Sequence, residues 1–177
     1  MIKEILSFTK KLLKLVSKYH NFSISISLNN QRLVIPIIQN VGLSLLKLRN
    51  HEKFMSKILE KYYDNNGAFI DVGTNIGQTL TKFKTIFPKS QYIGIEANPN
   101  CASYVNKLIE KNKFKNCIII SAGITHSPQI LPLLANSNDS SIHDPNATLV
   151  EKYRESNKFT SSIYSYCTTL DHIIDSL

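Results

Sequence analysis

The residues from Phe69 to Gly77 (FIDVGTNIG) constrain the fold more than any other part of this 177-residue chain. Residues 68–72 form a short, nearly continuous apolar run, as expected of a strand that is buried on both faces of a parallel sheet. Small residues at 73 and 77 allow the backbone to approach a ligand closely, and Asn75 tolerates a left-handed conformation. We predict a strand, turn and helix that bind a nucleotide-like ligand. A tight turn without a ligand is the alternative.

Asp71, near the end of the predicted strand, indicates which ligand this turn accepts. The dinucleotide-binding fingerprint is G-x-G-x-x-G, whereas residues 71–77 have the spacing Asp-x-Gly-x-Asn-x-Gly. A carboxylate at this place would repel a pyrophosphate. S-adenosylmethionine has no phosphate and carries a sulfonium and an ammonium group, so the same carboxylate would favour its binding. The turn therefore predicts S-adenosylmethionine as the cofactor.

Glu96 ends the next predicted strand, at residues 92–96. An acidic side chain at this place can accept hydrogen bonds from both hydroxyls of a ribose. A nicotinamide-dependent enzyme would use such an acid equally well. Only Asp71 and the glycine spacing therefore distinguish the two cofactors, and a nicotinamide-dependent oxidoreductase stays the alternative.

The pattern of the chain changes after about residue 66. Before this point it predicts a helix at 2–19, a hairpin at 22–35 that turns at Asn29–Asn30 and meets Pro36 at its end or edge, and a helix at 44–63 with a break near Asn50. After it, the pattern predicts strands at 68–72, 92–96, 117–121, 130–134 and 162–168, and helices at 76–87, 101–111, 147–155 and 170–177. We predict an α/β fold with a doubly wound, mostly parallel sheet in residues 67–177, preceded by a helix–hairpin–helix extension in residues 1–66.

Charge and composition restrict the partners. The formal net charge is +8, but the lysines are spread along the chain, so nucleic acid is not favoured. Cys101, Cys117 and Cys167 lack the spacing of a zinc site or a disulfide framework, so we expect reduced thiols and no metal. Neither a membrane span nor a signal peptide is indicated, which predicts a cytoplasmic protein. The basic amphipathic helix at 2–19 can either contact a membrane surface or pack on protein.

The sequence resembles a known family of proteins. The segment 67–100, GAFIDVGTNIGQTLTKFKTIFPKSQYIGIEANPN, resembles the FkbM family of methyltransferases, which are similar to the Rossmann-like class I methyltransferase fold. The resemblance continues through residues 108–112, 117–123, 139–141 and 169–171, and covers roughly residues 22–177. One departure is Ala97, where many members have proline.

The resemblance implies both a site and an activity. The implied cofactor-binding residues are Asp71, Gly73, Thr74, Asn75 and Gly77 in the turn, Glu96 at the ribose, and Ala122 and Gly123 beside the adenine. The implied reaction is methyl transfer from S-adenosylmethionine to a hydroxyl of a sugar, glycan or secondary metabolite. The partner would then be a small-molecule or glycan acceptor.

A second departure concerns the end of the sequence. In the family a fourth strand with a Lys-Ile-Asp-x-Glu-Gly type motif follows the Thr-Leu-Asp segment, which is Thr169–Asp171 here, whereas this sequence ends at Leu177. This fourth strand would pair with the first strand of the parallel sheet, which is predicted here at residues 68–72. We therefore expect an incomplete sheet with poorly covered Phe69 and Ile70, and a fragment that is inactive by itself.

No catalytic base is assigned. His126, His143 and His172 follow the third strand, where an acceptor could enter, but surface or helix-cap positions explain them as well. Residues 139–141 (Asp-Ser-Ser) can bind a ligand or form an ordinary polar loop. A non-catalytic interaction module that retains the cofactor turn is a further alternative to an enzyme.

Overall fold

The computed structural model describes residues 2–48, 53–136, 147–149 and 159–177. In chain order the elements are α1 Ile2–Tyr19, β1 Phe22–Leu28, β2 Gln31–Ile37, a 3₁₀ turn Leu45–Lys47, α2 Lys53–Tyr62, β3 Phe69–Val72, α3 Gln78–Ile86, β4 Tyr92–Ile95, α4 Pro99–Asn112, β5 Cys117–Ile120, β6 Gly123–Ile124, β7 Gln129–Asn136, β8 Phe159–Thr168 and α5 Leu170–Asp175. The predicted helix at 44–63 is divided into the 3₁₀ turn and α2. Its expected break near Asn50 lies outside the described residues.

The predicted hairpin is confirmed as the antiparallel pair β1 and β2, with Ile24 opposite Ile35. Asn29 and Asn30 both have positive φ angles, 48° and 60°, as a two-residue turn with the right-handed twist of a hairpin requires. Pro36 lies inside β2 rather than at its end, which a two-stranded sheet tolerates because both of its strands are edges.

The central sheet is parallel and has the order β3-β4-β5. Asp71 of β3 pairs with Gly94 of β4, which pairs with Ile119 of β5. The carboxyl ends of the three strands therefore meet at one edge of the sheet. All four residues of β4 are buried, since this strand has a neighbour on each side. The molecule is thus a mixed α/β protein with a parallel sheet.

Within the described residues, β3 pairs with β4 alone, and Val72 at its end is 54% exposed. Phe69 and Ile70 are nevertheless half-buried. The Phe69 ring stacks on Phe83 with 4.7 Å between ring centroids. Aromatic packing from α3 therefore covers this strand on one face, which the sequence analysis did not anticipate.

A second sheet has the order β6-β8-β7, in which β6 is parallel and β7 antiparallel to β8. The strands predicted at 130–134 and 162–168 are confirmed and are longer than predicted. The helix predicted at 147–155 is wrong at its start, because Thr148 instead exchanges backbone hydrogen bonds of 2.8 and 2.9 Å with Leu134. Residues 150–155 lie outside the described part. The two-residue β6 was not predicted.

One hydrophobic core joins the N-terminal elements to the parallel sheet. It contains buried residues from before and after residue 66, among them Leu33, Ile35, Ile37, Leu45, Leu59, Leu80, Phe83, Tyr104, Val105 and Leu108. Polar contacts cross the same boundary, since the Tyr104 hydroxyl donates to the Pro36 carbonyl at 2.7 Å. Asn112 of α4 accepts from the Val34 N–H at 2.7 Å and donates to the Val34 carbonyl at 2.8 Å. The side-chain amide of Asn112 therefore makes two hydrogen bonds to the backbone of β2, as a neighbouring strand would.

The described side chains of helix α1, at residues 11–19, make fewer contacts with the rest of the protein. Its Ser17 is buried and donates to the Asn40 side-chain oxygen at 2.5 Å, whereas Leu12, Leu15 and Tyr19 are exposed. Among the helices of the described residues, none is long and apolar enough to cross a membrane.

The contact between Asn112 and Val34 is testable by truncation. Asn112→Ala leaves both polar backbone groups of Val34 without this partner, and we expect the free energy of unfolding to fall by about 1–3 kcal/mol. Asn106→Ala is the matched control, because Asn106 is an exposed residue of the same helix, and its effect should stay within about 0.5 kcal/mol. Urea denaturation measures both. Equal effects of the two substitutions would contradict the proposed role of Asn112.

Candidate active site

A cleft of about 410 Å³ lies at the carboxyl edge of the parallel sheet. Its lining is Val72, Gly73, Asn75, Ile95, Glu96, Ala97, Cys101, Ala122, Gly123, Ile124, Leu133, Ala147, Thr148 and Leu149. A larger cavity of about 670 Å³, lined by residues from 63–68, 89–91 and 116–118, lies at the opposite edge. Ligands of parallel sheets bind at the carboxyl ends of the strands. The smaller cleft is therefore the candidate site.

The turn between β3 and α3 has three positive φ angles, 85° at Gly73, 53° at Asn75 and 87° at Gly77. A Cβ at Gly77 would lie 2.9 Å from Cδ2 of Leu108, whereas a Cβ at Gly73 would have no atom within 4 Å. Gly77 is therefore needed for packing against α4. Gly73 instead leaves open space in the wall of the cleft, as a residue next to a ligand would.

Most N–H groups of this turn are used within the protein. Those of Gly73 and Thr74 both point to the Ile95 carbonyl, at 2.8 and 3.2 Å, and that of Gly77 donates to the Thr74 carbonyl at 2.9 Å. The N–H of Asn75 donates to Oε2 of Glu96 at 2.6 Å. These bonds hold the turn against the end of β4. They also leave few donors for a phosphate group, which the glycine turns of dinucleotide-binding proteins bind through their N–H groups.

Glu96 connects the two loops that border the cleft. Its Oε2 accepts from Asn75 in the first loop, and its Oε1 accepts from the Asn98 N–H in the second at 2.8 Å. Burial raises the pKa of this carboxyl, the N–H groups of Asn98 and Asn75 oppose that effect, and the charge of Asp71 adds to it. Each oxygen retains a lone pair that can accept a hydroxyl hydrogen.

Asp71 lies behind the cleft wall rather than in it. On β3 it faces the same side of the sheet as Phe69, and its carboxylate accepts a short hydrogen bond from the Tyr92 hydroxyl. Burial raises the pKa of Asp71, and the bond from Tyr92 opposes that rise. Burial first, and the Asp71 charge second, raise the pKa of Tyr92, so the phenol keeps its proton and is the donor. A direct cofactor contact of Asp71 stays a prediction.

The other predicted site residues fall into two groups. Gly73, Asn75, Glu96, Ala122 and Gly123 line the cleft. Thr74 and Gly77 are buried behind it, where the Thr74 hydroxyl donates to the Asp71 carbonyl at 3.1 Å. The predicted turn therefore contributes alternate residues to the cleft and to the protein interior.

Sequence reasoning missed the far wall of the cleft, which Leu133, Thr148 and Leu149 form. A Cβ at Gly123 would lie 2.5 Å from Cδ1 of Leu149, so this glycine allows the wall to approach β6. No local sequence pattern predicts this contact, because Gly123 and Leu149 are far apart in the sequence. The buried Cys101, which forms no disulfide, also lines the cleft.

The remaining candidates lie elsewhere. His126 and His172 are exposed. His143 and the segment 139–141 lie outside the described residues. Within the described part of the chain, no group of three or more His, Cys, Asp or Glu side chains is placed to hold a metal ion.

The architecture defines a mixed α/β protein with a cofactor-sized cleft at the carboxyl edge of a parallel sheet. Residues 65–136 match a family model described as "Putative methyltransferase". The matched segment runs from the turn before β3 to the end of β7 and contains all eight predicted cofactor-binding residues, so the match supports a methyltransferase. A comparison with curated proteins gives no match.

The two glycines of the turn provide a matched test of its packing. Alanine at either position is strained by the positive φ, which costs about 1–2 kcal/mol, but only Gly77→Ala also meets Leu108, which adds about 1–3 kcal/mol. We expect Gly77→Ala to lower the free energy of unfolding clearly more than Gly73→Ala in urea denaturation. A larger loss from Gly73→Ala would show that the turn is packed differently.

Proposed function

We propose that this protein is a methyltransferase that uses S-adenosylmethionine and resembles the FkbM family in a Rossmann-like, doubly wound fold. The observation that carries the proposal is the charge of the cleft. Glu96 is the one charged side chain among the described residues that line it, although lysine and arginine outnumber acids in the chain, 21 to 13. A cationic ligand gains from such a site, whereas a pyrophosphate meets a negative charge and no compensating cation.

The use of the turn N–H groups supports the same choice. A dinucleotide relies on those donors to bind its phosphates, but here the N–H groups of Gly73, Thr74 and Asn75 bond to Ile95 and Glu96. S-adenosylmethionine needs no phosphate site. A nicotinamide-dependent oxidoreductase is therefore less compatible with this turn, although Glu96 by itself would suit either cofactor.

The lining residues fit the parts of S-adenosylmethionine. Glu96 would accept hydrogen bonds from the ribose hydroxyls. Ala122 and Gly123, opposite the apolar side chains Leu133 and Leu149, would enclose the adenine. The cleft volume, about 410 Å³, lies within the range of about 300–1,000 Å³ that is usual for small-molecule sites.

The chemistry rests on placing the two reactants in line. The bound cofactor would supply an activated methyl group, and the protein would position it and exclude water from the apolar part of the cleft. The resemblance favours a hydroxyl of a sugar, glycan or secondary metabolite as the acceptor. No residue is assigned as the base.

Calorimetric titration tests the cofactor. We expect the 177-residue protein to bind S-adenosylmethionine more tightly than NAD, and Glu96→Gln to weaken that binding about tenfold or more, because loss of a hydrogen bond to a charged group costs about 1.5–3 kcal/mol. Glu110→Gln is the control, since Glu110 is an exposed acid on α4. Tighter binding of NAD, or an equal loss from Glu110→Gln, would refute the assignment.

Binding should also depend on pH through Glu96. Its pKa is raised above the usual 4.5, and the protonated form offers neither the charge nor both acceptor oxygens. Affinity for S-adenosylmethionine should therefore fall as the pH is lowered through a midpoint above 4.5, and Glu96→Gln should flatten the profile.

The stability of the protein without ligand should depend on pH in the opposite direction. A carboxyl whose pKa is raised by folding favours the folded state in its protonated form, so this contribution to stability is lost as the pH rises through the raised pKa. Urea denaturation at several pH values measures this effect, and the variant Asp71→Asn separates the contribution of Asp71, whose pKa is also raised.

For the binding experiment, an unchanged pH profile of affinity in Glu96→Gln would mean that another group controls the affinity.

A further inference from the structure

The outer face of α1 carries an apolar stripe that the protein does not cover in the described residues. Its members follow the helical spacing i, i+3, i+4, i+7 and lie on one side of the helix. They are Leu12, Leu15, Val16 and Tyr19, with 49, 59, 39 and 70% of their surface exposed. Four neighbouring apolar side chains in water are costly to maintain and commonly mark an interaction surface.

Lysines border this stripe. Lys11, Lys14 and Lys18 have the spacing i, i+3, i+7 and are all exposed, and the Lys18 ammonium lies 5.7 Å from the centre of the Tyr19 ring. Residues 11–20 contain no acidic side chain. The exposed surface of this segment therefore combines an apolar band with a purely positive border.

The third face of α1 attaches the helix to the rest of the protein. Ser17 is buried against Asn40, and Leu13 is half-buried. Because a different face makes this contact, the apolar stripe is not a core surface that has been left incomplete. It is directed away from the protein body while the helix remains held by Ser17.

We propose that α1 docks on an anionic phospholipid surface, with its axis in the plane of the membrane, its stripe among the acyl chains and its lysines at the headgroups. This combination is typical of helices that lie in a membrane interface. The proposal does not depend on the identity of the cofactor.

Charge argues against a second copy of the chain as the occupant. A two-fold contact brings the same patch of both copies together, so the lysine borders of two α1 helices would face each other and repel. Four side chains on one helix also cover less than the total of about 1,000 Å² that a stable protein interface needs. Anionic lipid avoids both difficulties, since it neutralises the lysines and accepts single helices.

Vesicle sedimentation tests the proposal. The full chain should sediment with vesicles of phosphatidylcholine and phosphatidylserine, more weakly with phosphatidylcholine alone, and more weakly at high salt. Leu15→Ser with Tyr19→Ser should reduce partitioning about tenfold or more. Replacement of Lys11, Lys14 and Lys18 by Gln should also reduce it at least about tenfold, because each lysine near an anionic surface contributes about fivefold.

A matched control is available on α2, where Ile58 and Tyr62 are exposed apolar residues with the same spacing as Leu15 and Tyr19. Ile58→Ser with Tyr62→Ser should leave the partitioning unchanged. Circular dichroism and urea denaturation verify that each variant is folded. Absence of sedimentation by the folded wild type, equal loss in the α2 control, or conversion of a dimer to a monomer by the α1 substitutions would overturn the proposal.

Discussion

The half-buried carboxylate of Glu96 organises the candidate site. It accepts one N–H from the turn after β3 and another from the loop after β4, so a single side chain fixes the distance between two loops that belong to different strands. Burial disfavours the charged form and raises the pKa of this carboxyl, and the two N–H groups oppose part of that rise. The relative position of these two loops therefore depends on Glu96.

The same bonds restrict what the cleft can bind. A glycine turn whose N–H groups point outward is suited to phosphate, but this turn directs them to Ile95 and Glu96. Apart from this turn, the cleft is lined by one acid, Glu96, and by an apolar wall. Asp71 adds negative charge from behind that wall, where Tyr92 holds its carboxylate. Electrostatics therefore favours a cationic, partly apolar ligand, in agreement with the methyltransferase match over residues 65–136.

The N-terminal elements have two roles that involve different surfaces. The hairpin and α2 contribute to the core that supports the parallel sheet, and Asn112 and Tyr104 connect α4 to β2 by hydrogen bonds. Among the described side chains of helix α1, at residues 11–19, none belongs to that core, and the apolar stripe is exposed. A boundary at residue 66 therefore separates two patterns in the sequence, although the hydrophobic core is continuous across it.

The sequence by itself determined the features that short-range physics controls. The Asn29–Asn30 turn, the apolar run of β3, the glycine turn and the acid at the end of β4 were all predicted, because each depends on side-chain size, backbone preference or periodicity within a few residues. Only the tertiary structure decided the rest. The partner of Asp71, the short strand β6, and the approach of Leu149 to Gly123 depend on residues 20 or more positions apart. Pairing of Thr148 with Leu134 also overrode a helical pattern, since local propensity is weaker than a specific long-range contact.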